Sequence, residues 1–290
     1  MPISLDCISC FVRQSLEAAR FATDDKSMHA EVLKQVLDVA RNEGFSLIPP
    51  LVSQKIHHVV QKVTGNPDPY AAQKHEANCL MLSVQESLRE RIRQSDEPLH
   101  FATKLAIAGN SIDYALRSDW SQDLILQTIE SALEQPINGS VEAFVEEIKK
   151  ARQILYLLDN SGEIVCDRLL MEEIKRFRSD VPLIAVVHDG AILNDATMHD
   201  ARQIGLDKTV PVIDNGNDAP GTILEQCSAG FLDVFAQSDM IISKGLANYE
   251  TLIEYDTDRL PQTVCYLFRA KCPFIAHYVG VALGDLVVRL

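Results

Sequence analysis

The feature that most constrains this chain is a change of apolar rhythm near residue 150. From residue 8 to about 150 the apolar positions recur at intervals of three and four, as in Met28, Val32, Val36 and Val39 of MHAEVLKQVLDVARNEG. That spacing places side chains on one face of a helix, and the segment ends at Gly44, a residue suited to a helix C-cap. Further helices are predicted at roughly 51–64, 71–94, 100–118, 120–133 and 140–150, with breaks at Pro49-Pro50, at Gly65 to Pro69, at Pro98 and at Pro136 to Gly139. After Lys150 short aliphatic runs (QILYLL, PLIAVVH, TVPVI, DMIIS and TVCYLFR) alternate with amphipathic stretches. This alternation predicts an α/β fold with a mainly parallel, Rossmann-like sheet and crossover helices, preceded by an all-helical domain. The expected division is a helical domain over residues 1–150 and an α/β domain over 151–290. No Gly/Ser/Pro linker separates them, so the helical part is expected to pack on the sheet.

Charge and composition narrow the class of function. The 290 residues are 47% hydrophobic and 23% charged, enough for a large core in one or two domains. Basic residues number 27 against 41 acidic ones, a net charge of -14 spread over both halves. Such a surface repels phosphate backbones and argues against a nucleic-acid partner. The start MPISLDCISCFVRQSLEAAR lacks the basic and apolar regions of a signal peptide, and no apolar run reaches transmembrane length. A cytoplasmic protein without a membrane partner is expected. Seven cysteines, at 7, 10, 79, 166, 227, 265 and 272, then read as reduced thiols rather than a disulfide frame.

In an open parallel sheet, ligands bind beyond the carboxyl ends of the strands, where helix N-termini present free N–H groups. Three successive strand ends carry polar clusters: LLDNSGE, VVHDGAILNDATMHD and IISKGLANYE. In the first, Asp159 and Asn160 are adjacent oxygen donors. Hard cations such as Mg²⁺ take carboxylate and amide oxygens, and Asp195 in the second cluster is the natural third ligand. The competing reading makes Asp159 a cap for the helix that starts near Glu163. In the third cluster Lys244, followed by Gly245, would stand at the sheet edge beside backbone N–H groups, an arrangement suited to phosphate, although a lysine after a strand also serves as an ordinary solvated residue. Asn248 and Glu250 lie on the turn beyond.

DNSGEIVCD, LNDATMHDA and KGLANYETL together resemble the signature segments of the metal-dependent damage-control phosphatase family, formerly catalogued as domain of unknown function 89. CISCFVRQSL, GNPDPY with Lys74 and Asn78 following, AIAGNSIDYAL and the ending FRAKCPFIAHYVGVALGDLVV are similar to segments of its prokaryotic branch. The resemblance implies a Rossmann-like domain with a helical domain, and hydrolysis of small phosphorylated metabolites, such as sugar phosphates or damaged phosphometabolites, with a divalent metal. It places Asp159, Asn160 and Asp195 as metal ligands and Lys244 on the phosphate. Asn110 and Asp113 of GNSID, with Asn248, would line the crevice from the other side. Ser161, where alanine is common in the family, alters no implied ligand.

Chemically, one metal can polarise the phosphoryl oxygen and activate water, Lys244 and backbone N–H groups can supply further positive potential, and Asp195 or Asp113 can orient the water. Glu163 could reach a substrate hydroxyl, meet a water of the metal shell, or complement the helix dipole. An Asp/Asn/Asp oxygen set accepts Mg²⁺, Mn²⁺, Co²⁺ or Ni²⁺. Cys7-x-x-Cys10 is one half of a zinc spacing without its second half; Cys79 or Cys272 could complete it only if the fold brings them close. No HExxH, GxSxG, GxxxxGK[ST] or GxGxxG pattern is present. The alternatives are a Rossmann-type methyltransferase, for which the loop after the first strand is poor in glycine, and a non-catalytic metal- or phospholigand-binding protein.

Overall fold

The computed structural model describes residues 3–43, 47–110, 121–256 and 260–290. Ahead of residue 151 its helices are α1 (Leu5–Ala22), α2 (Lys26–Glu43), α3 (Pro49–Thr64), α4 (Ala71–Gln94), α5 (Pro98–Gly109), α6 (Gln122–Glu134) and α7 (Val141–Lys150). The breaks expected from proline and glycine are helix ends. Pro49 and Pro98 open α3 and α5, where a missing N–H costs nothing, and Gly65 closes α3 with φ 69°. Ser121 and Ser140 cap α6 and α7 by accepting the N–H groups of Leu124 and Ala143. Gly44, expected to end α2, lies outside the described residues.

Beyond them come β2 (Ile154–Leu157), α8 (Glu163–Phe177), β3 (Leu183–Val187), α9 (Met198–Gln203), β4 (Val212–Asp214), α10 (Ala229–Gln237), β5 (Met240–Lys244), α11 (Gly245–Asp256), β6 (Thr263–Arg269), α12 (Pro273–Val279) and β7 (Leu286–Arg289), while β1 (Ile137–Asn138) precedes α7. The seven strands form one sheet in the order β1-β7-β6-β5-β2-β3-β4. Every pairing is parallel except β6 with β7. The fold is therefore the mainly parallel α/β sheet that the rhythm predicts.

Period-two alternation divides the strands between two cores. Ile154, Tyr156, Met240 and Ile242 face α4 to α8, whereas Leu155, Leu157 and Ile241 face α10 to α12. The first of these cores joins residues from both sides of position 150, so the helices α4 to α7 do pack on the sheet. A third cluster, with Phe11, Val36, Val52, Ile56 and Val60, holds α1 to α3 together. The sequence predicts no strand between Pro136 and Gly139, because two residues carry no period. Pairing with β7 makes β1, and at Gly139 (φ 114°) a Cβ would fall 1.7 Å from the Val288 carbonyl oxygen.

From β2 the chain adds β3 and β4 on one side and β5 and β6 on the other. This reversal opens a crevice between the carboxyl ends of β2 and β5, the place where such sheets bind ligands. Asp159 follows β2 and Lys244 ends β5. Among the described residues no helix is long and apolar enough to cross a membrane.

Candidate active site

Backbone pairing beyond the strand ends assembles the site. The Ala196 N–H donates to the Asp159 carbonyl (2.8 Å), the Ser161 N–H donates to the Asn194 carbonyl (2.8 Å), and Asn160 and Asp195 form an antiparallel bridge. The loops after β2 and β3 are thus zipped together, and Asp159, Asn160 and Asp195 meet at one place. Gly162 then turns the chain into α8 with φ 81°, its N–H donating to Asn78 Oδ1 at 2.7 Å. Gly162 is the N-cap of α8 and no side chain caps this helix, so Asp159 is free of the capping role.

The Asp159 carboxylate is held from several sides. Its Oδ2 accepts from Asn160 Nδ2 (2.7 Å) and from Asn110 Nδ2 (3.0 Å). The Asn110 and Asn160 amides also donate to Glu163 Oε2. At Gly245, φ is 77° and a Cβ would lie 1.9 Å from Asp159 Oδ2. Only glycine leaves room there for the carboxylate.

Lys244 differs from expectation. It is fully buried rather than standing at an open sheet edge, because it continues the inward row of Met240 and Ile242 toward α5 and α8. Its ammonium donates to the Ala106 carbonyl (3.0 Å), to Glu163 Oε1 and to Asp167 Oδ1, so three acceptors take its three protons. Asp167 Oδ1 also accepts from the Tyr156 hydroxyl at 2.7 Å. Glu163 stands in the first turn of α8 and is buried against Lys244. Asn248 is likewise engaged: it donates to the Leu158 (3.1 Å) and Lys244 (2.9 Å) carbonyls and accepts from Thr222 Oγ1 (2.8 Å), tying β2 to β5. Asp113 lies outside the described residues.

The charges do not balance within the protein. Burial, with Glu163 nearby, pushes the Asp159 carboxyl up to about 7, and Lys271 and Lys244 only partly offset this. Burial and Asp159 push Asp195 well above the ordinary carboxylate range, and burial pushes Asp167 up to about 7 despite Lys244. For Lys244, the attraction of Asp167 and Glu163 outweighs burial and raises its pKa. Asp195 Oδ2 is buried with no hydrogen bond; His188 Nε2 is 3.3 Å away but not aligned to make one. Burial lowers His188 to about 4, leaving it neutral near pH 7. An unpartnered carboxylate oxygen beside an amide and a second carboxylate is a donor set that a hard divalent cation completes. Among the described residues no three His, Cys, Asp or Glu side chains stand ready as a metal cage, and the set here has two carboxylates and relies on the Asn160 amide for its third donor.

Two residues of the site, Asp167 and Lys271, lie in the sequence segments DNSGEIVCD and FRAKCPFIAHYVGVALGDLVV without an expected role there. Asp167 follows Glu163 by one helical turn, and two carboxylates at that spacing on an otherwise apolar helix face are a legible sign of a buried cation partner. Lys271, in the segment FRAKC, is marked by no spacing. It lines a cleft of about 490 Å³ together with Arg13, Arg269 and Asn194, the neighbour of Asp195. Its charge reaches the Asp159 carboxyl more strongly than that of Lys244.

The chain is similar to known proteins over nearly its whole length. The damage-control phosphatase ARMT1-like domain matches residues 3–287. An uncharacterised protein of Methanocaldococcus jannaschii is 36% identical over 296 residues, covering 99% of this chain and 94% of that protein. Damage-control phosphatases of Pyrococcus horikoshii and Archaeoglobus fulgidus are each 32% identical, covering 99% and 100% of this chain and 97% and 99% of their own lengths. The crystal structure of a DUF89 family protein from Pyrococcus horikoshii superposes with a TM-score of 0.90 at 30% identity, covering 99% of this chain and 98% of that one. With nearly its whole length matched in sequence and in fold, the chain belongs to the damage-control phosphatase ARMT1-like family.

Proposed function

We propose that this protein is a metal-dependent phosphomonoester hydrolase acting on small phosphorylated metabolites, sugar phosphates and damaged phosphometabolites among them. The observation that carries the reading is the bridge that brings Asp159, Asn160 and Asp195 together around a buried carboxylate oxygen with no hydrogen bond. Asp159, Asn160 and Asp195 would hold the cation, which would polarise a phosphoryl oxygen and make a bound water more acidic. Mg²⁺, Mn²⁺, Co²⁺ and Ni²⁺ all suit such oxygen donors.

The protein's own groups then have distinct tasks. Lys244 works from below: its ammonium fixes Glu163, and Glu163 in turn fixes the amides of Asn110 and Asn160 against Asp159. Because its three protons are taken, phosphate charge falls instead to the cations that line the cleft, Arg13, Arg269 and Lys271. Asp195 Oδ2 is the acceptor available to orient an attacking water. The test is hydrolysis of p-nitrophenyl phosphate by metal-stripped protein, before and after each metal is restored. Activity that returns with metal supports the reading. Tight metal binding without turnover of any phosphomonoester would make the protein a metal- or phospholigand-binding module instead.

A further inference from the structure

Beside the crevice lies a cavity of about 520 Å³ between α1, α11 and α12, within the range of roughly 300–1,000 Å³ in which proteins enclose organic ligands. We propose that this cavity receives an apolar arm of the substrate, so that the preferred phosphoesters carry an alkyl or aryl group rather than a bare polyol. The inference rests on the phosphatase reading above and narrows its substrate class.

Three observations carry it. The walls are mainly apolar, with Phe11, Pro50, Pro220, Leu246, Pro273 and Phe274 among them. The thiols of Cys7, Cys10 and Cys272 complete the lining, and burial pushes Cys7 up, which keeps it a neutral, weakly polar group. Asp6 and Glu250 also border the space, and Arg13, Gln14 and Lys271 stand on the side shared with the phosphate cleft. A polyol entering here would set many of its hydroxyls against carbon, whereas a methylene chain would lose no hydrogen bonds there.

Second, the cavity opens into the cleft beside Asp195, since Cys10, Arg13, Leu193, Leu246 and Lys271 line both. A molecule with its phosphate near Lys271 and the crevice therefore has its remaining atoms directed into the apolar space. Third, Leu193 has φ 47°, the one positive value for a non-glycine among the described residues. A bulky residue holds that conformation only where its surroundings impose it. Here the strained turn sets Leu193 against the cavity and the α1–α3 cluster while Asn194, the next residue, accepts the Ser161 N–H. One loop thus fixes both the cavity wall and the placement of Asp195.

The experiment uses the metal-loaded full chain and a series of n-alkyl phosphates from ethyl to octyl, with glycerol phosphate and a hexose phosphate alongside. Expected is a rise in kcat/KM of about fourfold per methylene over the first several carbons, since each buried methylene strengthens binding by about that factor. The polyol esters should fall below butyl phosphate, and Phe274→Ser should flatten the chain-length slope. Octylphosphonate, which is not hydrolysed, should protect Cys10 from maleimide alkylation while ethylphosphonate does not. Hydrolysis with no chain-length dependence and no protection would overturn the inference and leave the phosphatase reading standing. Failure to hydrolyse any ester under any metal would overturn the phosphatase reading, and this inference with it.

Discussion

In the crevice, Lys244, Glu163, Asp167, Asn110 and Asn248 are all buried, and hydrogen bonds join them in one network in which Asp167 Oδ2 has no hydrogen bond of its own. In the adjoining cavity the walls are mainly proline, phenylalanine, leucine and cysteine, with Asp6 and Glu250 at the border. The difference teaches where tolerance lies. A hydrogen-bonded charge network fixes atoms to within a fraction of an ångström, and losing one member strands the rest. An apolar wall constrains shape more than direction, so its changes should be graded.

The sharpest way to break the comparison is at the crevice. Asp159→Ala and Asp195→Ala should each lower kcat/KM on the order of 10³-fold or more, as loss of a central electrostatic group does. Calorimetry should show loss of Mn²⁺ binding, with the circular dichroism spectrum unchanged. Lys244→Met should come next, destabilising by about 3–5 kcal/mol because Glu163 and Asp167 lose their buried counter-charge. Denaturant melts measure this, and the double variant Lys244→Met with Asp167→Asn should recover part of the loss.

Gly245→Ala puts a Cβ 1.9 Å from Asp159 Oδ2 at a φ of 77°. It should cost about 1–3 kcal/mol in stability and weaken metal binding, whereas an alanine at the open position Gly230 should do neither.

On the cavity side the effects should be smaller. Burial pushes the Glu250 carboxyl up to about 7, so the folded protein holds this proton more tightly than the unfolded chain. Stability contributed at low pH is therefore lost as pH rises from the ordinary glutamate range to about 7. Glu250→Gln should remove that decline from a plot of melting temperature against pH. The smallest change is expected at Glu130→Ala, which breaks an exposed pair with Arg91 and should alter stability by less than about 0.5 kcal/mol. A larger effect there would mean that the exposed surface matters more than this contrast allows.

Much of the molecule is legible in the order of its residues. The runs QILYLL and DMIIS hold β2 and β5, the helical spacing of residues 51–64 and 71–94 matches α3 and α4, and Pro49 and Pro98 fall where helices begin. Local chemistry accounts for all of these, because side-chain period, missing N–H groups and positive φ are properties of neighbours in sequence. The placement of polar residues after strands also follows from order along the chain, which is why Asp159, Asn160 and Asp195 can be named as a group.

Tertiary structure alone decided the rest. Strand β1 exists because β7 lies beside it, and the antiparallel β7 has no signal that distinguishes it from its parallel neighbours. The position of Lys244 at the end of β5 is readable, but its partners are not. Alternation turns it toward the face of Met240 and Ile242, and which helices cover that face depends on packing among residues up to 138 positions apart, as with Ala106. The cavity is likewise assembled from α1, α11 and α12, whose residues lie at opposite ends of the chain. Periodicity determines which side of an element is buried. What that side meets is set by how all the elements fit together.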